Sequence, residues 1–227
     1  MKIIKFLIIP LLIFITSCSE DKDEAENQEI DLIEENQKIN EGEYEYSNFI
    51  DDNSLTPIKK SSLSKAVDFI EFSSFSCSHC AAFHNETLEE IKKSDVYENI
   101  NYYIVDYPLN QAAFYASIIA NCNSNIKPSY TDSVYENYDI WTKSESGEKI
   151  IELLNNYGLQ LGLEDQELKS CLDNEDLQDR LLSIQVAAES NFGVQSTPTF
   201  LVGGDKLQGN RPASEFIKLI KKKLNNK

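Results

Sequence analysis

Val67-Asp68-Phe69-Ile70-Glu71-Phe72-Ser73-Ser74-Phe75-Ser76-Cys77-Ser78-His79-Cys80 carries the reading of this chain. Val67 to Phe72 is nearly continuous in apolar and aromatic residues, the pattern of a strand buried on both faces. Ser73-Ser74-Phe75-Ser76 makes a turn, and Cys77-Ser78-His79-Cys80 follows it. Ala81 to Lys93 then reads as a helix with Phe83, Leu88 and Ile91 on one side, and Ile100 to Val105 as a second strand ending at Tyr107-Pro108. The sequence thus sets a C-x-x-C at the start of a helix that leaves the C-terminal end of a buried strand.

That position makes the motif chemical. A nucleophilic sulfur must be a thiolate, and three influences favour one at Cys77. The helix N-terminus offers unpaired N–H groups and the positive end of the macrodipole. The His79 ring lies within the first turn, where it can hydrogen-bond or share charge with the sulfur. Cys80, one turn on, can donate its S–H. Such surroundings lower a thiol pKa from about 8.5 to between about 3.5 and 7. The spacing also brings both sulfurs within disulfide reach, so Cys80 can resolve a mixed disulfide formed at Cys77. A C-x-x-C can also be half of a zinc site, but the usual second C-x-x-C or H-x-x-x-H is missing from the sequence, so no metal is expected. His84 reads as an exposed helix residue.

With these residues in hand, the chain resembles the DsbA-like thiol:disulfide oxidoreductases over roughly residues 55 to 225. The resemblance rests on Asp68 to Cys80 and on Gly193-Val194-Gln195-Ser196-Thr197-Pro198-Thr199-Phe200-Leu201-Val202-Gly203-Gly204. The two stretches stand about 120 residues apart, in the family's order. The resemblance implies an α/β thioredoxin-like fold with an inserted α-helical subdomain. It implies Cys77 as nucleophile, Cys80 as resolving thiol and His79 as the residue that tunes them. It makes Pro198 a cis-proline, with Thr197 facing the sulfurs and binding substrate, and Glu71 a buried acid that relays the proton of Cys80. The reactive group is the Cys77–Cys80 pair itself, with no further cofactor.

Between Asn110 and Asn191 the chain reads as largely helical: Gln111 to Cys122, Glu148 to Tyr157, Asp165 to Leu172, and Asn174 to Phe192, which ends at Gly193. The resemblance makes this the helical insertion, at about 110–191, and pairs Cys122 with Cys171 in a second, structural disulfide; two free thiols are the alternative. Strands near Thr199 to Val202 and Lys206 to Gln208 follow, then a closing helix from Pro212 to Leu224 with lysines in its last turn.

The N-terminus sets the compartment. Lys2 and Lys5 precede a short apolar run from Phe6 to Ile15, a signal-peptide pattern too short for a membrane span. Ile15-Thr16-Ser17-Cys18 resembles the lipobox of bacterial lipoproteins, which implies cleavage after residue 17 and acyl chains on Cys18. The plainer alternative is an ordinary signal peptide with a stray cysteine. From Glu20 to Glu45 twelve acids face Lys22 and Lys38, so residues 18–50 read as an acidic flexible tether and residues 51–227 as the folded domain. The expected place is the bacterial cell envelope, lipid-anchored and facing the periplasm. The formal net charge of −17 argues against nucleic-acid binding.

The function implied is the introduction of disulfides into reduced exported client proteins by a monomer that a membrane redox partner recycles. Ser78-His79 between the cysteines keeps the histidine that favours an oxidant, whereas Thr197 before the proline is a residue type associated with isomerases and reductases. A reductase or isomerase of the same fold, or a non-enzymatic surface lipoprotein, are the alternatives.

Overall fold

The computed structural model describes residues 44–226; the expected signal peptide, Cys18 and most of the expected tether lie outside them. A mixed four-stranded sheet forms the centre, with β1 (Val67–Ser73), β2 (Ile100–Asp106), β3 (Thr199–Val202) and β4 (Asp205–Gln208) in the order β2-β1-β3-β4. β1 runs parallel to β2 and antiparallel to β3, and β3 runs antiparallel to β4. The central strand β1 is buried along nearly its whole length, as its near-continuous apolar sequence requires.

Side chains alternate across β1, and each face meets its own helices. Phe69 packs with Phe83, Ile91, Phe200, Phe216 and Ile220. The helices on that side are α2 (Ser78–Ala82), which continues through a π-helical turn, Phe83–Thr87, into α3 (Leu88–Lys92), and the C-terminal α10 (Ala213–Asn225). Ile70 and Phe72 face the other way, against Phe49, Ile184, Phe192 and Leu201. There the covering helices are α1 (Ser47–Asp52) and α9 (Glu175–Phe192), the latter closed by Gly193 in the left-handed conformation.

Between β2 and α9 stand α4 (Gln111–Ala120), α5 (Lys127–Glu136), α6 (Tyr138–Thr142), α7 (Gly147–Gln160) and α8 (Asp165–Leu172). They enclose a separate core of Ile119, Tyr130, Tyr135, Trp141 and Leu154 that reaches Phe75, Cys77 and Cys80. The cysteines therefore sit on the seam between sheet and insertion. The sulfurs of Cys122 and Cys171 are bonded at 2.05 Å and tie the end of α4 to α8.

Two sequence expectations need correction. The folded domain does not start at 51: Phe49 is only 3% exposed, its ring lies 5.0 Å from that of Phe192, and the Tyr44 N–H donates to the Gly204 carbonyl at 2.9 Å. Glu45, Ser47 and Asn48 stand between the aromatics of this segment and interrupt their apolar face. His84 is not exposed either. It stands four residues after Cys80, hence on the same helix face, turned toward the sheet.

Candidate active site

Cys77 is the N-cap of α2, and its sulfur accepts the Cys80 backbone N–H at 3.3 Å. The extended backbone of Cys77 leaves that sulfur over the first-turn N–H groups, where a negative charge is best placed. The Cys80 thiol is the largest influence favouring the ionised form. Burial opposes it, and the Thr197 hydroxyl together with the Cys80 and His79 backbone N–H groups supports it. The outcome is a Cys77 thiol held well below the ordinary range, at about 6. His79 thus contributes its backbone, while its side chain is exposed.

Cys80 is the reverse case. It has 0% exposure, and burial above all, then the neighbouring Cys77 sulfur and the charge of Glu71, push its thiol far above the ordinary range. The two thiols are not bonded to each other here. One sulfur is thus ready to react as a thiolate, and the other holds its proton until something removes it.

The Thr197–Pro198 peptide bond is cis, and the Thr197 carbonyl accepts the Cys77 S–H at 3.2 Å. The stretch that resembled the family's cis-proline loop thus lies against the reactive sulfur, 120 residues away in sequence. The Thr197 hydroxyl is buried without a geometrically formed hydrogen bond among the described residues, and it stands close enough to the Cys77 sulfur to favour the thiolate.

Glu71 lies on the β1 face that carries the active-site helix and is 0% exposed. Its Oε2 accepts the Tyr102 hydroxyl from β2 and lies 3.1 Å from His84 Nε2. Sequence reasoning missed Tyr102 and three further partners of this site. His84 was misplaced, although its i, i+4 spacing from Cys80 was a usable signal. Tyr135 stacks on the His84 ring at 4.3 Å and shares a 2.7 Å hydrogen bond with Ser73. Tyr138 donates to the Ser76 carbonyl at 3.0 Å and so steadies the loop before Cys77. No sequence signal marked either tyrosine, since both lie in helices whose apolar pattern is interrupted by polar residues.

The thioredoxin family model matches residues 62–222, which take in the strand, both cysteines, the insertion and the cis-proline loop. The chain belongs to the thioredoxin family. A Rickettsia felis relative that carries the name protein-disulfide oxidoreductase is 28% identical over 163 residues, 68% of this chain and 55% of the relative. A second, from Rickettsia prowazekii, is 27% identical over 180 residues, 78% of this chain and 64% of the relative. The chain thus spans between 55% and 64% of the length of these two relatives. Among solved structures, Wolbachia pipientis alpha-DsbA1 superposes with a TM-score of 0.66 at 19% identity, covering 73% of this chain and 89% of that one. The fold of this thioredoxin-family chain is therefore DsbA-like, a thioredoxin sheet with a helical insertion.

Proposed function

We propose that this protein is a thiol:disulfide oxidoreductase that introduces disulfides into exported proteins. The observation that carries the reading is the unequal pair: a Cys77 sulfur stabilised as thiolate at a helix N-terminus, beside a sealed and protonated Cys80. Stabilising the reduced form makes the disulfide form a better oxidant. In the forward direction a client thiolate attacks Cys77 of the Cys77–Cys80 disulfide, and Cys80 leaves and takes up a proton. A second client thiolate then displaces Cys77. The client gains a disulfide, and two electrons remain on the Cys77–Cys80 dithiol.

Reoxidation needs an acceptor of those two electrons, and the reading assigns that role to a membrane redox partner. The roles of Thr197 and Pro198 are to pair with an extended client segment beside the sulfur, and the role of Glu71 is to relay the Cys80 proton. The Cys122–Cys171 bond serves structure. The same reading puts a monomer at the bacterial cell envelope, held by acyl chains on Cys18 and facing the periplasm.

Three measurements test it. Cys77→Ser abolishes oxidation of a reduced model protein, and Cys80→Ser accumulates mixed disulfides through Cys77; a Cys80 variant that traps no client refutes the division of labour. A reduction potential above about −200 mV against glutathione supports an oxidant, and one near −270 mV overturns it in favour of a reductase. Cys18→Ala moves the protein from the membrane fraction to the soluble one, and retention on the membrane rules out the lipid anchor.

A further inference from the structure

Cys80 must lose a proton before it can attack, yet it has no exposed surface. Glu71 is the acid whose charge acts on it. Glu71 is sealed as well, so a proton left there goes no further unless another group passes it on. Tyr102 is a poor carrier, because burial first and Glu71 second hold its hydroxyl protonated, and that hydroxyl already donates to Glu71.

His84 is differently placed. Its Nε2 is 3.1 Å from Glu71 Oε2, and its Nδ1 is buried with no hydrogen-bond partner among the described residues. His84 is also among the residues lining a polar cavity of about 290 Å³, together with Asn85, Glu89, Lys92, Asp132 and Glu136. Asp132 and Glu136 are exposed, so the cavity opens to solvent. The residue therefore has one ring nitrogen at the buried acid and a place in the wall of a cavity open to solvent, with its second nitrogen buried and unengaged.

We propose that His84 carries the proton of the resolving thiol between Glu71 and solvent through this cavity. The inference rests on the oxidoreductase reading and deepens it. In the mixed disulfide of Cys77 with a small thiol, the Cys80 S–H gives its proton to Glu71. The freed electron pair forms the Cys80–Cys77 bond as the bond from Cys77 to the small thiol breaks, and that thiol leaves as thiolate. Glu71 passes its proton to Nε2 of His84, and Nδ1 releases one to water in the cavity. One disulfide breaks as another forms, one proton reaches solvent, and no outside oxidant is needed. Oxidation of a client runs the same path inward.

The surroundings suit that traffic. Glu71 faces the ring from β1 and Tyr102 from β2, while Tyr135 stacks on it from α5. Toward the cavity stand Asp132 and Glu136 from α5 and Asn85, Glu89 and Lys92 from the ring's own helical segment. Lys92 is paired with Glu89 at 2.7 Å and also feels the charge of Asp132, so three acids stand against one cation around the cavity and favour a departing proton. The π turn at Phe83–Thr87 that contains His84 is the kind of helical irregularity found disproportionately at functional sites.

His84→Gln keeps a hydrogen-bonding nitrogen toward Glu71 but cannot take up a proton. Stopped-flow mixing of the reduced protein with oxidised glutathione separates attack by Cys77 from resolution by Cys80. The expected result is a resolution rate, relative to the preceding attack, that falls by about tenfold or more near neutrality. Added imidazole, small enough for the cavity, restores part of it. A variant with the wild-type ratio and the wild-type pH profile overturns the relay. If the variant does not fold, the ring ¹⁵N shifts of His84 in the wild type decide. They change between the oxidised and reduced protein at one fixed pH, and identical shifts in the two states overturn the proposal. A wild type that exchanges no disulfide with glutathione refutes the oxidoreductase reading itself, which is a separate failure.

Discussion

Reduction of the Cys77–Cys80 pair should stabilise the fold near pH 8 and destabilise it near pH 5.5. Two effects oppose each other. Closing the four-residue loop from Cys77 to Cys80 restricts the unfolded chain and favours the oxidised form by about 1.9 kcal/mol in the chain-entropy model. In the reduced form Cys77 titrates at about 6 in the folded protein, against about 8.5 in the unfolded chain. The folded value is the lower one, so the unfolded chain binds more protons. The Cys77 contribution is therefore complete above about pH 8.5 and disappears as pH falls through about 6. Cys80, which the fold holds protonated, subtracts from it as pH rises past about 8.5. The full Cys77 contribution is about 3 kcal/mol, with about 1 kcal/mol present at pH 7.

The two effects balance between about pH 7 and pH 8. At pH 5.5 the oxidised form should be the more stable by about 2 kcal/mol, and at pH 8 the reduced form by under about 1 kcal/mol. For a domain of this size each kcal/mol moves the melting temperature by about 2–4 °C. The assay is thermal unfolding at both pH values of the oxidised protein and of protein reduced only at Cys77–Cys80. Alkylation and mass measurement verify that Cys122–Cys171 stays closed. A difference in melting temperature that is the same at pH 5.5 and pH 8 would refute a thiolate held by the folded site.

Three other outcomes are expected. Alkylation of Cys77 by iodoacetamide in the Cys80→Ala variant, which loses the S–H donor, should show a midpoint above the wild-type value of about 6, because the Cys80 thiol is the largest influence on it; an unmoved midpoint assigns the shift to the helix N-terminus and Thr197. Replacing Cys122 and Cys171 together by alanine should cost about 4 kcal/mol for a bridge closing 49 residues, read by urea unfolding. Phe49→Ala should cost about 3–5 kcal/mol, because the ring is wedged against Phe72 and Phe192; a change under about 1 kcal/mol would return this segment to the tether.

Strand β1, the C-x-x-C and the 197–204 stretch were legible because each depends on local pattern: a buried strand, a helix start, a proline opening a strand. β3 emerged with its expected limits, and α8 did too. The helices α5 and α6 went unread. Their buried residues, Tyr130, Thr131, Val134, Tyr135 and Trp141, are spread among Ser, Asp, Glu and Asn, so no apolar stripe stands out. The partners of Glu71 were hidden for a different reason. Tyr102 and His84 meet it only after β2 pairs beside β1 and the active-site helix folds across them, contacts between residues distant in sequence that periodicity does not encode. His84 also sits in the polar run His84-Asn85-Glu86-Thr87, which reads as a solvent face until the helix is set against the sheet.

The anchoring of Tyr44 has a practical consequence. β3 begins beside Pro198 at the cysteine end of the sheet, and Gly204, which receives the Tyr44 N–H, follows its far end, about 13 Å of strand away. The chain therefore enters the fold at the pole opposite its reactive sulfurs. A bead, a sensor surface or a fusion partner joined ahead of Tyr44 would start from that pole and leave the Cys77 end of the sheet unobstructed.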